Sequence, residues 1–309
     1  MPNFTGASSP NVVKTALDGV FFQEHDVESS PDYADATTSA IFRQDTADSS
    51  AVIWEMFKGV GLWDARPEEA DIATDAPRIA NQKTFTVSNY AKSIDISNNL
   101  FKDGKHSVYE KMVRDFARKA RQTRDQNAFA VFRNAFSTAT THDGVALISD
   151  SHVAVDGTTI DNNVGAALTE TTLGTAIRLL RELKDQAGVV GGSVAKCLLV
   201  PPALHKLAHE ITQSTLRSGT ANNDANFYSD LYGVRVYSSE WLGSAVTGGS
   251  NTAWYVLGDN HSVYRFVRQG VITDLVDYKY QRNNNYIYKG EFREVVGAFN
   301  FEGLVGSAT

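Results

Sequence analysis

The longest regular pattern of apolar and polar positions runs through residues 107–136. No proline or glycine occurs between Lys105 and Thr141, so nothing interrupts a helix there. Apolar and small side chains share one side of the helical wheel: Tyr109, Met112, Val113, Phe116, Ala120, Thr123, Asn127 and Val131. A basic stripe lies beside them: Lys111, Arg114, Arg118 and Arg121. The pattern predicts an amphipathic helix about 45 Å long.

Shorter patterns predict further helices and a set of strands. The helices fall near residues 14–22, at 51–57 before Gly59, from a Thr169 cap toward Gly188, and from Pro201-Pro202 to about Gln213. The helix that begins after Thr169 has a predicted buried stripe of Leu173, Ile177, Leu180 and Leu183. Alternation or short apolar runs predict strands at 85–88, 93–96, 196–200, 234–237, 254–257, 262–267 and 286–301. The chain is therefore predicted to be α+β.

Two outlying segments precede the long helix. Residues 1–50 have few apolar clusters and three prolines, which favours an extended arm that is either unstructured or ordered by its neighbours. Residues 51–100 contain an acidic, proline-marked run between apolar stretches, which favours a protruding hairpin with little core of its own.

Charge is distributed unevenly along the 309 residues. The whole chain carries a net charge of −7, but residues 1–100 hold 7 basic and 15 acidic side chains, whereas residues 101–140 hold 9 basic and 4 acidic ones. An acidic protein is a poor general binder of nucleic acid, although one basic segment can still meet a polyanion. The alternative is that the basic stripe is simply the solvated face of a long helix.

Composition excludes several classes of protein. The 42% hydrophobic content is that of a globular chain. The single cysteine, Cys197, excludes a disulfide within the chain and any cysteine-based metal cage. The apolar runs are far shorter than the roughly 20 residues of a membrane span, and residues 1–10 show no secretory signal, so we expect synthesis in a reducing cytosol.

Catalytic patterns are incomplete. His205 and His209 have the i, i+4 spacing that lets two imidazoles share a zinc ion, but Lys206 occupies the position of the catalytic glutamate and no third ligand is evident. Asp150-Ser151-His152 contains the residue types of a hydrolase triad, yet sequence neighbours rarely face one another. Cys197 lies in an apolar strand, which favours a core residue. No metal or cofactor site is predicted. The residues favour a protein that functions by contacting other chains.

Several segments, in their order along the chain, carry a resemblance to a known family. They are residues 85–103 leading into the long helix, Gly144-Val145-Ala146-Leu147-Ile148-Ser149-Asp150-Ser151-His152 after it, Leu198-Leu199-Val200-Pro201-Pro202-Ala203-Leu204, the strand at 254–257, and Gly303-Leu304-Val305-Gly306-Ser307. With them, residues 50–309 resemble the major capsid (head) proteins of tailed bacteriophages, and more narrowly the Mu-type major head subunit family.

The resemblance implies a tailed-phage major capsid fold with an N-terminal arm (1–50), an extended loop (51–97), a peripheral domain with a long spine helix (98–165), an axial domain (166–265) and closing strands (266–309). It implies hexamers and pentamers that close into an icosahedral shell around double-stranded DNA, in a virion whose subunits are made in the bacterial host cytoplasm. Its partners are copies of itself and scaffold, portal and decoration proteins, with no membrane partner. We expect any scaffold to be a separate protein.

Two sets of residues are candidates for contacts in such a shell. The acidic loop and its flanks are expected to meet a neighbouring subunit through Arg66, Glu68, Glu69, Asp71, Arg78 and Lys83. Lys83 is also a candidate, by position alone, for the inter-subunit crosslink that some relatives form. The basic stripe of Lys111, Arg114, Arg118 and Arg121 is a candidate for facing packaged DNA.

Three other functions stay open from the sequence. A nanocompartment shell that encloses enzymes, like an encapsulin, has the same fold and another cargo. A metal-dependent hydrolase would use His205 and His209. A tail-tube or surface-layer subunit would be structural without forming an icosahedral shell.

Overall fold

The computed structural model describes residues 10–27, 30–69, 71–72, 74, 78–103, 106–154, 157–215, 226–228, 233–277, 279, 281, 283 and 285–309. The helices are α1 (Pro10–His25), α2 (Asn98–Lys102), α3 (His106–Arg133), α4 (Glu170–Glu182) and α5 (Pro202–Thr212). The strands are β1 (Arg43–Thr46), β2 (Ala51–Lys58), β3 (Arg78–Thr86), β4 (Ser88–Ser97), β5 (His152–Val153), β6 (Thr159–Ile160), β7 (Ala195–Val200), β8 (Arg235–Ser238), β9 (Trp254–Gly258), β10 (Val263–Val276), β11 (Asn285–Ala298) and β12 (Leu304–Ser307). This mixture confirms the predicted α+β class.

The longer strands make two four-stranded sheets. The first has the order β1-β10-β11-β4, with β1 parallel to β10 and the other pairs antiparallel. The second has the order β12-β9-β7-β8, with β7 and β8 parallel. Strands β2 and β3 pair only with each other, as an antiparallel hairpin.

Helix α3 joins the apolar cores of the two sheets. In its first half, Tyr109 and Val113 lie in a cluster with residues of α1 and β11. In its second half, Phe129 and Phe132 lie in a separate cluster with residues of the second sheet. The hydroxyl of Tyr255 donates a hydrogen bond to the Phe132 carbonyl at 2.7 Å. The predicted long helix is confirmed, at 28 residues and about 42 Å.

The predicted apolar face of α3 is only partly right. Tyr109, Val113, Phe116 and Val131 are buried as predicted, whereas Met112 is 38% exposed. The buried stripe advances in steps of three and four residues, and it places Ala117, Ala128, Phe129 and Phe132 inside the protein. Met112 lies at the edge of this face, about 60° around the helix from Tyr109 and on the side away from Val113.

The predicted helix at residues 51–57 is wrong, because this segment forms strand β2. Its side chains alternate between covered and exposed positions; the covered ones are Val52, Trp54 and Met56, and the exposed ones are Ile53, Glu55 and Phe57. Period-two alternation of β-branched and aromatic residues favours a strand. Pairing with β3, from Ala51–Thr86 to Lys58–Arg78, supplies the backbone hydrogen bonds.

The described part of residues 1–50 packs against the rest of its own chain. The predicted helix near residues 14–22 is confirmed as α1, and its Leu17 and Phe21 are buried against α3 and β11. Farther along, Ile41 and Phe42 are fully buried in the second core. The apolar residues here are few, but most of them are inside.

The second half of the chain follows the predicted pattern closely. Thr169 caps α4 by accepting a hydrogen bond from the amide of Thr172 at 3.1 Å, and the predicted leucine and isoleucine stripe is buried. Helix α4 ends at Glu182, before the turn that contains Gly188. Strand β7 leads into α5, which opens with proline as predicted. The strands of the last third are confirmed, with β10 and β11 extended to 14 residues each.

The position of Phe129 predicts a large effect on stability. It is fully buried, with its ring 5.2 Å from that of Phe42. We expect Phe129→Ala to lower the free energy of unfolding of the unassembled subunit by about 3–5 kcal/mol in urea titrations. Phe57→Ala, at a position 56% exposed, is the matched control and should cost less than about 1 kcal/mol. Equal losses would contradict the assigned core.

Candidate assembly surface

Exposed apolar side chains are concentrated on one hairpin. We call residues 59–77, between β2 and β3, the hairpin tip; residues 59–69, 71–72 and 74 of it are described. In the tip, Trp63 is 96% exposed and Leu62 and Ile72 are more than three quarters exposed. The strands add further exposed residues, namely Ile53, Phe57 and Ile79. An apolar surface of this extent in a water-facing segment marks an interaction site.

Both faces of the hairpin carry apolar side chains, and its own chain covers one face. Trp54 lies at ring-centroid distances of 4.4 Å from Tyr264, 5.5 Å from Phe266 and 5.3 Å from Phe299. Met56 and Phe85 are buried in the same cluster. The side chains between them point the other way and are exposed, because successive residues of a strand face opposite sides. The hairpin is thus anchored at its base and uncovered toward the tip.

The segment with the exposed tryptophan also carries exposed carboxylates. Of the acidic residues predicted to contact a neighbouring subunit, Glu68, Glu69 and Asp71 are exposed in the tip, as are Asp64 and Arg66. The structure places Arg78 at the start of β3, and its side chain lies outside the described residues. The tip therefore combines a large aromatic ring with several negative charges in one segment.

Lys83, the last predicted inter-subunit residue, binds within its own chain. Its Nζ donates to the carbonyl of Thr140, just after α3. Burial lowers the pKa of Lys83, while the nearby Asp143 opposes that change. Although burial alone raises it, the pKa of Asp143 is held at about 2 by hydrogen bonds from His152 and Thr141. Lys83 thus ties the hairpin base to the turn after α3.

The basic stripe on α3 also meets its own chain. Arg114 and Arg118 form ion pairs with Glu24 of α1 at 3.8 Å and 3.0 Å. Arg121 donates to the carbonyl of Val27 at 3.3 Å. Lys111 is exposed. Three of the four candidates for DNA contact thus hold the N-terminal segment against α3, a role the sequence analysis missed.

A buried polar network fixes the same segment deeper inside. Arg265 of β10 and Glu294 of β11 pair at 2.5 Å, and Arg124 of α3 lies 3.9 Å from the same carboxylate. Asp125 accepts a hydrogen bond from the amide of Ala36 at 2.9 Å, and burial raises its pKa to about 6. Within this network, the hydrogen bond from the Ala36 amide to Asp125 ties the N-terminal segment to α3.

His261 lies where the N-terminal segment meets the first sheet. It is 4% exposed, and its Nδ1 accepts a hydrogen bond from the amide of Val263 at 3.4 Å. Burial, together with the charge of Arg43 in β1, lowers the pKa of His261 to about 4, although the Ala40 backbone opposes this. The folded state therefore holds this imidazole neutral.

The candidate catalytic residues are not brought together. His205 of α5 lies beside the ring of Tyr33, and among the described residues no group of three or more histidine, cysteine, aspartate or glutamate side chains is arranged to hold a metal ion. His152 is fully buried and pairs with Asp143 at 2.8 Å, while the Ser151 hydroxyl pairs with that of Ser149. Cys197 is buried in the core as predicted, and burial raises the pKa of its thiol to about 12.

Within the part of the chain that the structure describes, no helix is both long and apolar enough to cross a membrane.

The uncovered hairpin indicates a structural subunit that contacts other chains. Residues 81–307 match the family model described as "Phage capsid protein", which is most of the chain, so the chain belongs to this family. It is a major capsid protein, a component of a virus particle that assembles with copies of itself into an icosahedral shell, and it is not an enzyme.

Solved structures confirm the tailed-phage major capsid fold. The capsid of Myoviridae phage XM1 is 10% identical at a TM-score of 0.55, covering 92% of this chain and 94% of that one. A chain of Microbacterium phage Oxtober96 is 13% identical at a TM-score of 0.54, with the same coverage. A virus-like particle from Pyrococcus furiosus is 10% identical at a TM-score of 0.53, covering 95% and 98%. No curated protein sequence matches the chain.

The neutral state of His261 predicts acid sensitivity. A histidine whose folded-state pKa is lowered to about 4 stabilises the fold above its unfolded pKa of about 6.5, and that stability is lost as the pH falls between these values. We expect His261→Asn, which keeps an acceptor for the Val263 amide, to reduce the loss of unfolding free energy between pH 7.5 and 5 by about 2 kcal/mol.

The comparison uses urea titrations of the unassembled subunit. His25, whose pKa burial lowers, adds to the acid loss, and Asp125, whose pKa is raised to about 6, opposes it; both remain in the variant. The difference between the two proteins therefore isolates His261. Identical pH dependence of both would contradict the assignment.

Proposed function

We propose that this chain assembles into hexamers and pentamers that close around double-stranded DNA as the head of a tailed phage. The observation that carries the proposal is the hairpin with one apolar face covered by its own chain and the other exposed, ending in Trp63 at 96% exposure. A surface of this kind marks a site that another chain covers, because burying its apolar side chains is favourable. Membership of the capsid family supports other copies of the chain as that cover.

Closure of a shell supports the same interpretation. Identical subunits that contact one another head to tail form rings when the rotation closes, and each ring offers every subunit the same neighbour. A hairpin laid on the next subunit adds contact area beyond a flat edge. Under this proposal Lys83 supports the contact from the hairpin base. Five other residues of the hairpin lie at the contact, namely Arg66, Glu68, Glu69, Asp71 and Arg78.

The finer parts of the proposal follow the sequence resemblance. We infer a Mu-type head subunit, from the segment 144–152 and the strand-to-helix step at 198–204. The division into arm, extended loop, peripheral domain and axial domain belongs to the same proposal, as do scaffold, portal and decoration proteins as partners and synthesis in the host cytoplasm. A second candidate, a nanocompartment shell, is favoured by the similarity to the Pyrococcus furiosus virus-like particle. The contents of purified particles, DNA or protein cargo, separate the two.

Trp63 provides the direct test of the assembly surface. We expect Trp63→Ala to leave the unfolding midpoint of the subunit within experimental error, since the side chain touches little of its own chain, and to reduce particle yield at least tenfold in sedimentation and negative-stain microscopy. Leu207→Ala, which removes an apolar side chain 37% exposed on α5, is the control and should assemble normally. Normal assembly of the Trp63 variant would contradict the proposal.

The DNA-facing role of the basic stripe is tested at Lys111, because Arg114, Arg118 and Arg121 also hold α1. If Lys111 meets phosphate, Lys111→Glu lowers the slope of log K against log salt for double-stranded DNA by about 1, since one phosphate contact is lost. Lys206→Glu, at an 89% exposed side chain on α5, should leave the slope unchanged. An unchanged slope in the Lys111 variant would contradict a contact between Lys111 and DNA.

A further inference from the structure

His25, the last residue of α1, is buried where this helix ends against α3. It is 9% exposed, and its ring stacks on that of Phe21 with a centroid distance of 5.7 Å and an interplanar angle of 12°. Its Nδ1 lies 2.7 Å from Oδ1 of Asp26, and its Nε2 lies 3.0 Å from Nη1 of Arg124. Through Nε2, His25 therefore joins the end of α1 to α3.

The two partners of the ring fix its protonation state. A guanidinium group has donors only, so Arg124 donates and Nε2 of His25 accepts through its lone pair. An ionised carboxylate accepts only, so Nδ1 carries the single ring proton and donates it to Asp26. The contact with α3 thus requires the neutral imidazole in one tautomer. A proton on Nε2 removes the acceptor and places two cations face to face.

The charges nearest the ring favour its neutral form. The Arg124 side chain is 12% exposed and that of Asp26 is 68% exposed, so water screens the carboxylate more strongly than the guanidinium. Burial, together with the charges of Arg124 and Arg121, lowers the pKa of His25, and the hydrogen bond with Asp26 opposes this only in part. Asp26 therefore does not offset the cost of a proton on Nε2.

The carboxylates of the surrounding elements are already engaged with other groups. They are Glu24 of α1 with Arg114 and Arg118, Asp35 with Thr37 and Thr38, Asp125 of α3 with the amide of Ala36, and Glu294 of β11 with Arg265 of β10. Burial also raises the pKa of Asp125 to about 6, so this carboxyl loses charge in weak acid. A protonated His25 would thus find little compensation around it.

Protons can reach His25 without prior unfolding. The residue lines a cavity of about 780 Å³ between the N-terminal segment, α3 and β8. Val27 and Tyr33 line the same cavity, and Arg121 and Arg235 add positive charge to its wall. The cavity therefore gives water a path to a ring that its own helix and α3 otherwise cover.

We propose that His25 is a pH-sensitive switch that holds the end of α1 against α3 near neutral pH and releases it in acid. The release is local. Asp18, two turns earlier in α1, accepts hydrogen bonds from Thr273 at 2.7 Å and from Tyr288 at 2.8 Å, and these do not involve His25. Opening at the end of α1 also separates Arg121 from the carbonyl of Val27, so the proton concentration sets how firmly the N-terminal segment lies on the basic stripe.

Proton linkage gives the direction and the limit of the effect. In the released state His25 is exposed and titrates near its ordinary pKa of about 6.5, whereas the closed state holds it neutral to lower pH. The released state therefore binds more protons as the pH falls below about 6.5, and the equilibrium shifts toward it. One histidine can raise the opening constant by at most about 30-fold between pH 7.5 and 5.0.

Amide hydrogen exchange of the unassembled subunit, followed by mass spectrometry, measures this opening. Exchange rates of amides 22–27 are divided by the intrinsic rates at each pH, which gives the local opening constant. We expect this constant to rise at least about threefold from pH 7.5 to 5.0, because release takes up a proton. The amides of α4, which belong to a different core, are the internal reference and should rise by clearly less.

Two matched variants assign the effect to one ring. His25→Gln places an amide oxygen near the position of Nε2, so it still accepts from Arg124 but takes up no proton. In this variant the opening constant of amides 22–27 should no longer rise in acid; Asp125, which favours the closed state as it protonates, remains in it. His209→Gln, at an exposed position on α5, should keep the full rise of the parent protein.

Each result bears on the switch. An equal rise in His25→Gln, or a rise in α4 as large as that at the end of α1, overturns it, since the first shows another titrating group and the second shows global unfolding. Should His25→Gln not fold, the parent protein alone decides, because a flat opening constant between pH 7.5 and 5.0 also overturns the switch. All of these measurements use the free subunit, so they leave the proposed shell function to its own tests.

Discussion

The structure depends on one helix that is buried in two separate cores. The first half of α3 is held by α1 and the first sheet, and its second half by Phe42 and the second sheet. A 28-residue helix is a stiff rod of about 42 Å, so the two sheets keep a fixed spacing and neither core can loosen without exposing the other's support. A shell subunit needs this rigidity, because errors in its shape would be repeated at each contact around the ring.

The uneven distribution of charge along the chain follows from the contacts between α3 and the N-terminal segment. Residues 101–140 are basic and residues 1–100 are acidic, and the structure brings parts of the two together: Glu24 of α1 lies between Arg114 and Arg118. Each exposed pair contributes little alone. Their sum, added to the hydrogen bond from the Ala36 amide to Asp125 and to the apolar face of α1, aligns the N-terminal segment along the rod. The contacts of α3 with the acidic N-terminal segment therefore explain, in large part, why this helix of an acidic protein is basic.

The elements with a long or well-marked pattern were predictable, and those decided by pairing or by distant partners were not. Helix α3 has enough turns for its period to stand out, and α4 has a cap at Thr169 that fixes its start. The seven residues from Ala51 fit either state, and the pairing with β3 decides between them. No local pattern shows that Glu24 lies beside α3. Trp63 was missed as a contact residue, although a tryptophan beside an acidic, proline-marked loop was a usable signal.

The hairpin shows why a stable subunit and a stable assembly make opposite demands on the same strand. Strand β2 carries apolar side chains on both faces, yet its own chain supplies Tyr264, Phe266 and Phe299 to cover one face and leaves Ile53 and Phe57 exposed beside Glu55 on the other. The carboxylates of the tip keep the other face hydrated and repel identical tips, which limits random association before assembly. The same charges that protect the free subunit also set the polarity that a covering surface on another chain must match.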